Sequence, residues 1–177
     1  MVFVDGENLC VRFERMCKEG KIPKQTVQHQ AGKFVWRQGF PVNWPLDVLR
    51  VTYYTTVVGA EDALQELEDR IGSLTWKRSD NFLGRLVPRV FKKAKSGEKT
   101  KSVDINLCVD ILRHCYANDI DTVALMSGDG DYLPLLREVM RRGKHVCVAA
   151  FSSGLNPEIG RTVDGLQILD DSFFEGK

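Results

Sequence analysis

Asp129 and Asp131 stand two residues apart in SGDGDYLPL (Ser127 to Leu135), with a glycine on either side of the first aspartate. Several carboxylates gathered near one sheet edge would raise each other's pKa unless a cation neutralised them. Two further aspartates have a setting that lets them join the pair. Asp5 follows the short apolar run VFV, and Asp104 opens a pattern in which Leu107, Cys108, Ile111 and Cys115 recur at helical offsets. Three of the four have a local role of their own. Asp5 can cap the turn GENL, Asp104 can place a charge at a helix N-terminus (about 0.3–1 kcal/mol), and Asp131 can cap the helix that carries Pro134. Asp129 is the exception, because no capping role requires glycines at 128 and 130. As a set, oxygen ligands without a histidine or cysteine partner suit Mg2+ or Mn2+ rather than Zn2+. Such an ion keeps several waters, takes phosphate oxygens and lowers the pKa of an attacking water. The chemistry that fits is hydrolysis of a phosphodiester.

The elements that must position these residues alternate along the chain. DTVALM reads as a buried strand and YLPLLREVMRRGK as a helix stopped by Gly143, so Asp129 and Asp131 fall where a strand hands over to a helix. VFVD likewise precedes the helical spacing of LCVRFERMCKEG. DVLRVTYYTTVV is rich in β-branched and aromatic residues and predicts a strand, and AEDALQELEDRIGSL a helix with a charged outer face. RLVPRVFKK predicts a further strand, its Pro88 marking an edge or a bulge. KSVDINLCVDILRHCYAND is apolar nearly all round and is expected to be deeply packed. The strands HVCVAAF and LQIL flank a short segment near NPEIGRTVDG. Residues 20–46, with three prolines and weak periodicity, read as an insertion holding one helix. Alternating strands and helices imply an α/β fold, a three-layer α/β/α sandwich around a mainly parallel, Rossmann-like sheet. Right-handed crossovers put the carboxyl ends of the strands on one edge, where ligands of open α/β sheets bind. If the strands before Asp5 and Asp129 are neighbours, the carboxylates converge there.

A chain of 177 residues, 43% hydrophobic, supports one core, so residues 1–177 are read as a single domain. The net charge of +1 says nothing by itself about partners. Five cysteines include no C-x-x-C pair; Cys10 and Cys17, like Cys108 and Cys115, are seven apart and share a helix face. We read them as small core residues in a reducing compartment. No secretory leader precedes VFVD and no apolar run approaches the ~20 residues that span a bilayer, so a soluble, cytoplasmic protein with no membrane contact is expected. The histidines (His29, His114, His145) are not paired for attack by a ribose 2′-OH. There is no G-x-S-x-G, and SGDGD lacks the third glycine of a dinucleotide fingerprint.

VFVDGEN, KSVDINLCVDIL and LMSGDGDYLPLL, in this order and spacing, resemble the NYN domain, the PIN-like nuclease group that includes the LabA-type proteins. TYYTTVVGAE is similar to the second-strand region of that group. The resemblance covers roughly residues 1–12 and 47–150. It implies a PIN-like fold and a metal-dependent ribonuclease site built from Asp5, Asp104, Asp129 and Asp131, with Asn8 the polar residue after the first strand. Lys101 and Ser127 match flanking positions suited to a phosphate or water contact. Asp110 also falls in a motif position, but its helix angle points away from Asp104, which indicates a structural role. The preference for RNA comes from the resemblance, since the residues themselves do not separate RNA from DNA.

A basic segment leads into this site. Arg85, Arg89, Lys92, Lys93, Lys95, Lys99 and Lys101 are opposed by Glu98 alone. As a loop over 89–101 it would border the crevice and track a phosphate backbone. Phe34, Trp36, Trp44 and Trp76 offer base stacking, although large aromatics are usually core. The expectation is a metal-dependent endoribonuclease that cleaves single-stranded RNA with a metal-activated water. The alternative is an RNA-binding or protein-interaction module of the same fold with little turnover. A small-molecule phosphatase would leave the basic segment without a purpose. A homodimer or a protein partner is left open.

Overall fold

The computed structural model describes residues 1–38, 40, 47–79, 82–93 and 102–176. In chain order the elements are β1 (Val2–Asp5), α1 (Gly6–Lys18), β2 (Val27–Gln30), β3 (Phe34–Arg37), β4 (Val51–Val58), α2 (Glu61–Gly72), β5 (Thr75–Ser79), β6 (Phe82–Arg85) and β7 (Val87–Lys93). They continue with α3 (Ser102–Ala117), β8 (Thr122–Met126), a 3-10 turn (Gly130–Tyr132), α4 (Leu133–Arg141), β9 (His145–Ala150), α5 (Pro157–Thr162), β10 (Gly165–Ile168) and α6 (Asp170–Phe173).

Six strands form one sheet in the order β10-β9-β8-β1-β4-β7, and every pairing in it is parallel. The α/β sandwich expected from alternating elements is therefore what the chain builds. Helices cover both faces, so the central strands read as continuous apolar runs: seven of the eight residues of β4 are buried. One core holds α1, α2, α6 and the β2–β3 hairpin against one face of the sheet. The other holds α3, α4 and α5 against the opposite face. The chain starts in the middle, builds outward through β4 to β7, then returns to the other side of β1 with β8. The order reverses between β1 and β8, and crevices for ligands open at such switch points.

Three sequence expectations change here. Residues 20–46 contain no helix among the described positions; β2 and β3 form an antiparallel hairpin. Phe34, Val35 and Trp36 are buried, and Tyr53 of β4 accepts the Val35 N–H (3.1 Å) while donating its hydroxyl to the Val35 carbonyl (3.2 Å). Strands of four residues are too short to show a period. Helix α3 is not packed all round: Val103, Leu107, Ile111 and Cys115 are buried, whereas Ile105, Val109 and Tyr116 are exposed. It lies in an outer layer with one face toward the sheet, so its apolar composition overstates its burial. Residues 89–93 of the basic segment belong to strand β7. Pro88 fits there because β7 is an edge strand, bonded to β4 on one side. Among the described residues no helix is long and apolar enough to cross a membrane.

Candidate functional site

Strand alternation brings the site together. Val2 and Val4 of β1, with Ala124 and Met126 of β8, pack toward α1. Phe3, Val123 and Leu125 point to the opposite face, against α3 and α4. The same period of two carries Asp5 and Ser127 to the α3–α4 side, at the carboxyl ends of neighbouring strands. Asp5 is 3% exposed and Ser127 is fully buried.

Asp5 is the N-cap of α1, its Oδ1 accepting the Asn8 N–H at 3.0 Å. Its Oδ2 accepts the Ser127 hydroxyl at 3.0 Å. The Tyr132 hydroxyl, from the turn before α4, reaches both Asp5 Oδ2 (3.3 Å) and Asp104 Oδ1 (3.0 Å). One hydroxyl proton can serve only one of these carboxylates at a time. Two glycines allow neighbouring segments to pack closely around these residues. A side chain at Gly6 would collide with the Tyr53 ring and the Tyr54 carbonyl (2.6 Å), and one at Gly130 with the Asn156 side chain.

Burial pushes the Asp5 carboxyl up to about 6, against the bonds from Asn8 and Ser127, with the charges of Asp104 and Glu7 adding to the rise. Asp104 is exposed as a residue, but its carboxyl leans into the crevice. Partial burial raises its pKa; the Tyr132 hydroxyl opposes the rise, and Asp129, Glu7 and Asp131 reinforce it. Burial and the same two carboxylates push the Tyr132 hydroxyl far upward, so it remains a donor.

The fold thus gathers Asp5, Asp104, Asp129 and Asp131 at one edge, with distinct roles. Asp129 does have a capping role: its Oδ1 accepts the Asp131 N–H at 3.0 Å and starts the 3-10 turn. The cap falls two residues earlier than expected because that turn precedes α4, and Asp131 is left exposed. Gly128 and Gly130 serve the close approach of the 154–156 segment. Ser127 cannot offer its hydroxyl to a phosphate. It is buried beneath Asp5 and also accepts the Asp129 N–H (3.2 Å), which makes it a positioning residue. Asn8 ties α1 to the same loop, its amide oxygen accepting the Gly128 N–H at 3.3 Å. Asp110 accepts the Tyr54 hydroxyl at 2.9 Å, the structural role its helix angle indicated.

The basic residues separate by the same alternation. Arg89 and Lys93 share one face of β7, pairing with Asp110 (3.7 Å) and Glu7 (3.5 Å), while Lys92 points the other way to Glu61 of α2. Lys95, Lys99, Lys101 and Trp44 lie outside the described residues. Phe34, Trp36 and Trp76 are core residues and offer no stacking surface. Glu7 was missed by the sequence reading. It stands in the first turn of α1, held by the Thr56 hydroxyl and Lys93, and bears on both Asp5 and Asp104. The signal was its place two residues after Asp5 in VFVDGEN.

A parallel sheet covered on both faces, with carboxylates collected at its switch point, defines an α/β protein with an acidic crevice. The chain belongs to the NYN domain family, whose pattern it matches over residues 1–170. Members of that family are typically nucleases of the PIN-like kind. The chain is similar to an uncharacterized protein of Methanocaldococcus jannaschii, 25% identical over 120 residues, 63% of this chain. It spans about half (48%) of that relative's length. The crystal structure of a protein of unknown function from Vibrio parahaemolyticus has a similar fold, with a TM-score of 0.60 and 18% identity over 98% of this chain and 94% of that one.

Proposed function

We propose that the chain is a divalent-cation-dependent endoribonuclease acting on single-stranded RNA, with Asp5, Asp104, Asp129 and Asp131 as its acidic site. The carrying observation is the pair Asp5 and Asp104, bridged by one hydroxyl and both shifted toward the protonated form. Negative charge crowded in this way is what a bound cation relieves. The donors are oxygens, which favours Mg2+ or Mn2+. Among the described residues, no three acidic side chains of the crevice each bring an oxygen within 4.8 Å of the others. That spacing suits an ion held partly through water, as Mg2+ usually is. When bound, such an ion supplies Lewis acidity and a lowered pKa for the attacking water.

The chain's own residues have separable tasks in this reading. Asp5 and Asp104 hold the ion, and Ser127, Asn8 and Tyr132 orient them. Asp129 and Asp131 add charge at the rim. Lys93 and Arg89, on the crevice side of β7, receive flanking phosphates, and the basic segment continues through Lys95, Lys99 and Lys101. The described cysteines are free, as in a reducing cytoplasmic setting.

The test is end-labelled single-stranded RNA incubated with Mn2+, Mg2+ or EDTA. Cleavage should need the ion and leave 5′-phosphate and 3′-hydroxyl ends, because water and not the ribose 2′-OH is the nucleophile. Products with a 2′,3′-cyclic phosphate would overturn the mechanism. RNA bound but never cut would support the binding-module alternative.

A further inference from the structure

On the opposite face of the sheet from the crevice, three side chains of different chemistry meet between α1 and the β2–β3 hairpin. The Cys10 thiol donates to Glu14 Oε1 at 3.2 Å, and His29 Nε2 lies 3.0 Å from the same oxygen. Cys10 Sγ, Glu14 Oε1 and His29 Nε2 are all within 4.8 Å of one another, and no other such group of three is present among the described residues. The arrangement follows from two local geometries. Positions 10 and 14 are one turn apart on α1 and face the same way. His29 comes from β2, and the Gly32 N–H at the hairpin turn locks Glu14 with a bond of 2.7 Å.

From this geometry we propose that Cys10, Glu14 and His29 form a second metal site, selective for a thiophilic divalent ion of the zinc class. Metal bonds of about 2.3 Å to sulfur and 2.0–2.1 Å to nitrogen or oxygen place tetrahedral neighbours about 3.4–3.6 Å apart. Two edges of that figure stand at 3.2 and 3.0 Å, each within a few tenths of an ångström of those values, and the third, from Cys10 Sγ to His29 Nε2, is no longer than 4.8 Å. A thiolate and a carboxylate together neutralise a divalent charge, so the occupied site buries no net charge. The thiol of Cys10 is held protonated by burial and by Glu14. A coordinating ion deprotonates such a thiol and releases its proton to solvent. Sulfur and imidazole ligands select zinc-class ions over Mg2+ and Mn2+.

Two of the three ligands, Glu14 and His29, line an open cavity of about 360 Å3 together with Phe13, Cys17 and Val27. An ion there would have room for a water. It would also staple the hairpin to α1, the helix capped by Asp5 whose first turn carries Glu7 and Asn8. The Gly32 bond is an outer contact of the kind that fixes a ligating carboxylate.

The test uses the full chain, stripped of metal with its thiols reduced, and titrated with Co2+ as a spectroscopic substitute for zinc. One equivalent should produce a sulfur-to-cobalt charge-transfer band with the strong visible bands of a tetrahedral ion, and Zn2+ should bleach both. Cys10→Ser should lose the charge-transfer band. His29→Ala, at an exposed position that threatens folding little, should weaken cobalt binding by more than about tenfold. Cys17→Ser should leave the band in place. The proposal is overturned by the absence of the band at saturating Co2+, or by its survival at unchanged affinity in both Cys10→Ser and His29→Ala. Loss of the band in Cys17→Ser while Cys10→Ser keeps it has the same consequence. Asp5→Asn should leave cobalt binding intact, which separates this site from the proposed ribonuclease.

Discussion

Two carboxylates at helix α1, its N-cap Asp5 and Glu14 within it, have opposite electrostatic fates. Asp5, just before its first turn, is pushed up to about 6 because burial and, to a lesser extent, neighbouring carboxylates outweigh the donors around it. Glu14, on the hairpin side, also feels burial, but the Gly32 N–H, His29 and Cys10 more than offset it and leave the pKa lowered. What decides the outcome is first the depth of burial, nearly complete for Asp5 and partial for Glu14, and then the neighbouring charges, since each carboxylate has donors. The crevice buries Asp5 beneath its donors Asn8 and Ser127, and a single hydroxyl, that of Tyr132, is shared between Asp5 and Asp104. The hairpin side has one carboxylate oxygen and three donors. Crowded oxygens call for a hard cation, whereas a thiol and an imidazole on one carboxylate hold protons that a softer ion can displace.

The largest effect should separate the two regions by activity. Asp5→Asn should lower RNA cleavage in Mn2+ on the order of a thousandfold, the scale of losing a preorganised charge-stabilising group. His29→Ala should leave the cleavage rate unchanged. Equal losses in rate assays with labelled RNA would mean that the two regions act as one site.

The next effect is on stability, measured as melting against pH with a chelator present. Because the folded pKa of Asp5 lies above the unfolded value near 3.9, the folded state holds the proton more tightly between about pH 4 and 6. Stability should fall as pH rises through that window, by roughly 3 kcal/mol, and level off above it. Asp5→Asn should flatten the fall, since the asparagine oxygen can still cap α1. Glu14 has the reverse sign: its depressed pKa adds stability above the ordinary glutamate range, lost as pH drops through the folded value. Glu14→Gln should therefore flatten the acid side instead. Identical curves for the two variants would remove the contrast between the regions.

Tyr132→Phe sharpens the comparison within the crevice. The hydroxyl lowers the Asp104 pKa, so its loss should move the acid limb of the cleavage pH profile upward and cost about 1 kcal/mol of stability. A drop in rate with an unmoved profile would reduce Tyr132 to a packing residue. The smallest effect concerns the basic edge. Lys93→Ala should reduce the slope of log RNA affinity against log salt by about 0.7, while Lys92→Ala, on the α2 side, should leave it unchanged. Equal changes would show that strand alternation does not sort the two lysines toward RNA.

Much of this was already determined by sequence. Strand and helix periods are local, and the handedness of crossovers then fixes which ends of the strands share an edge. That is why Asp5 and Asp129 could be placed at carboxyl ends from the runs VFV and DTVALM, and Asp104 at the start of an inward stripe. Partnerships across elements depend on register and face, which local pattern does not encode. Only the tertiary structure set β8 beside β1, hid Ser127 beneath Asp5 and brought Tyr132 between Asp5 and Asp104. It alone divided Lys92 from Lys93 across the sheet and carried His29 to Cys10 and Glu14 through a hairpin too short to show a period.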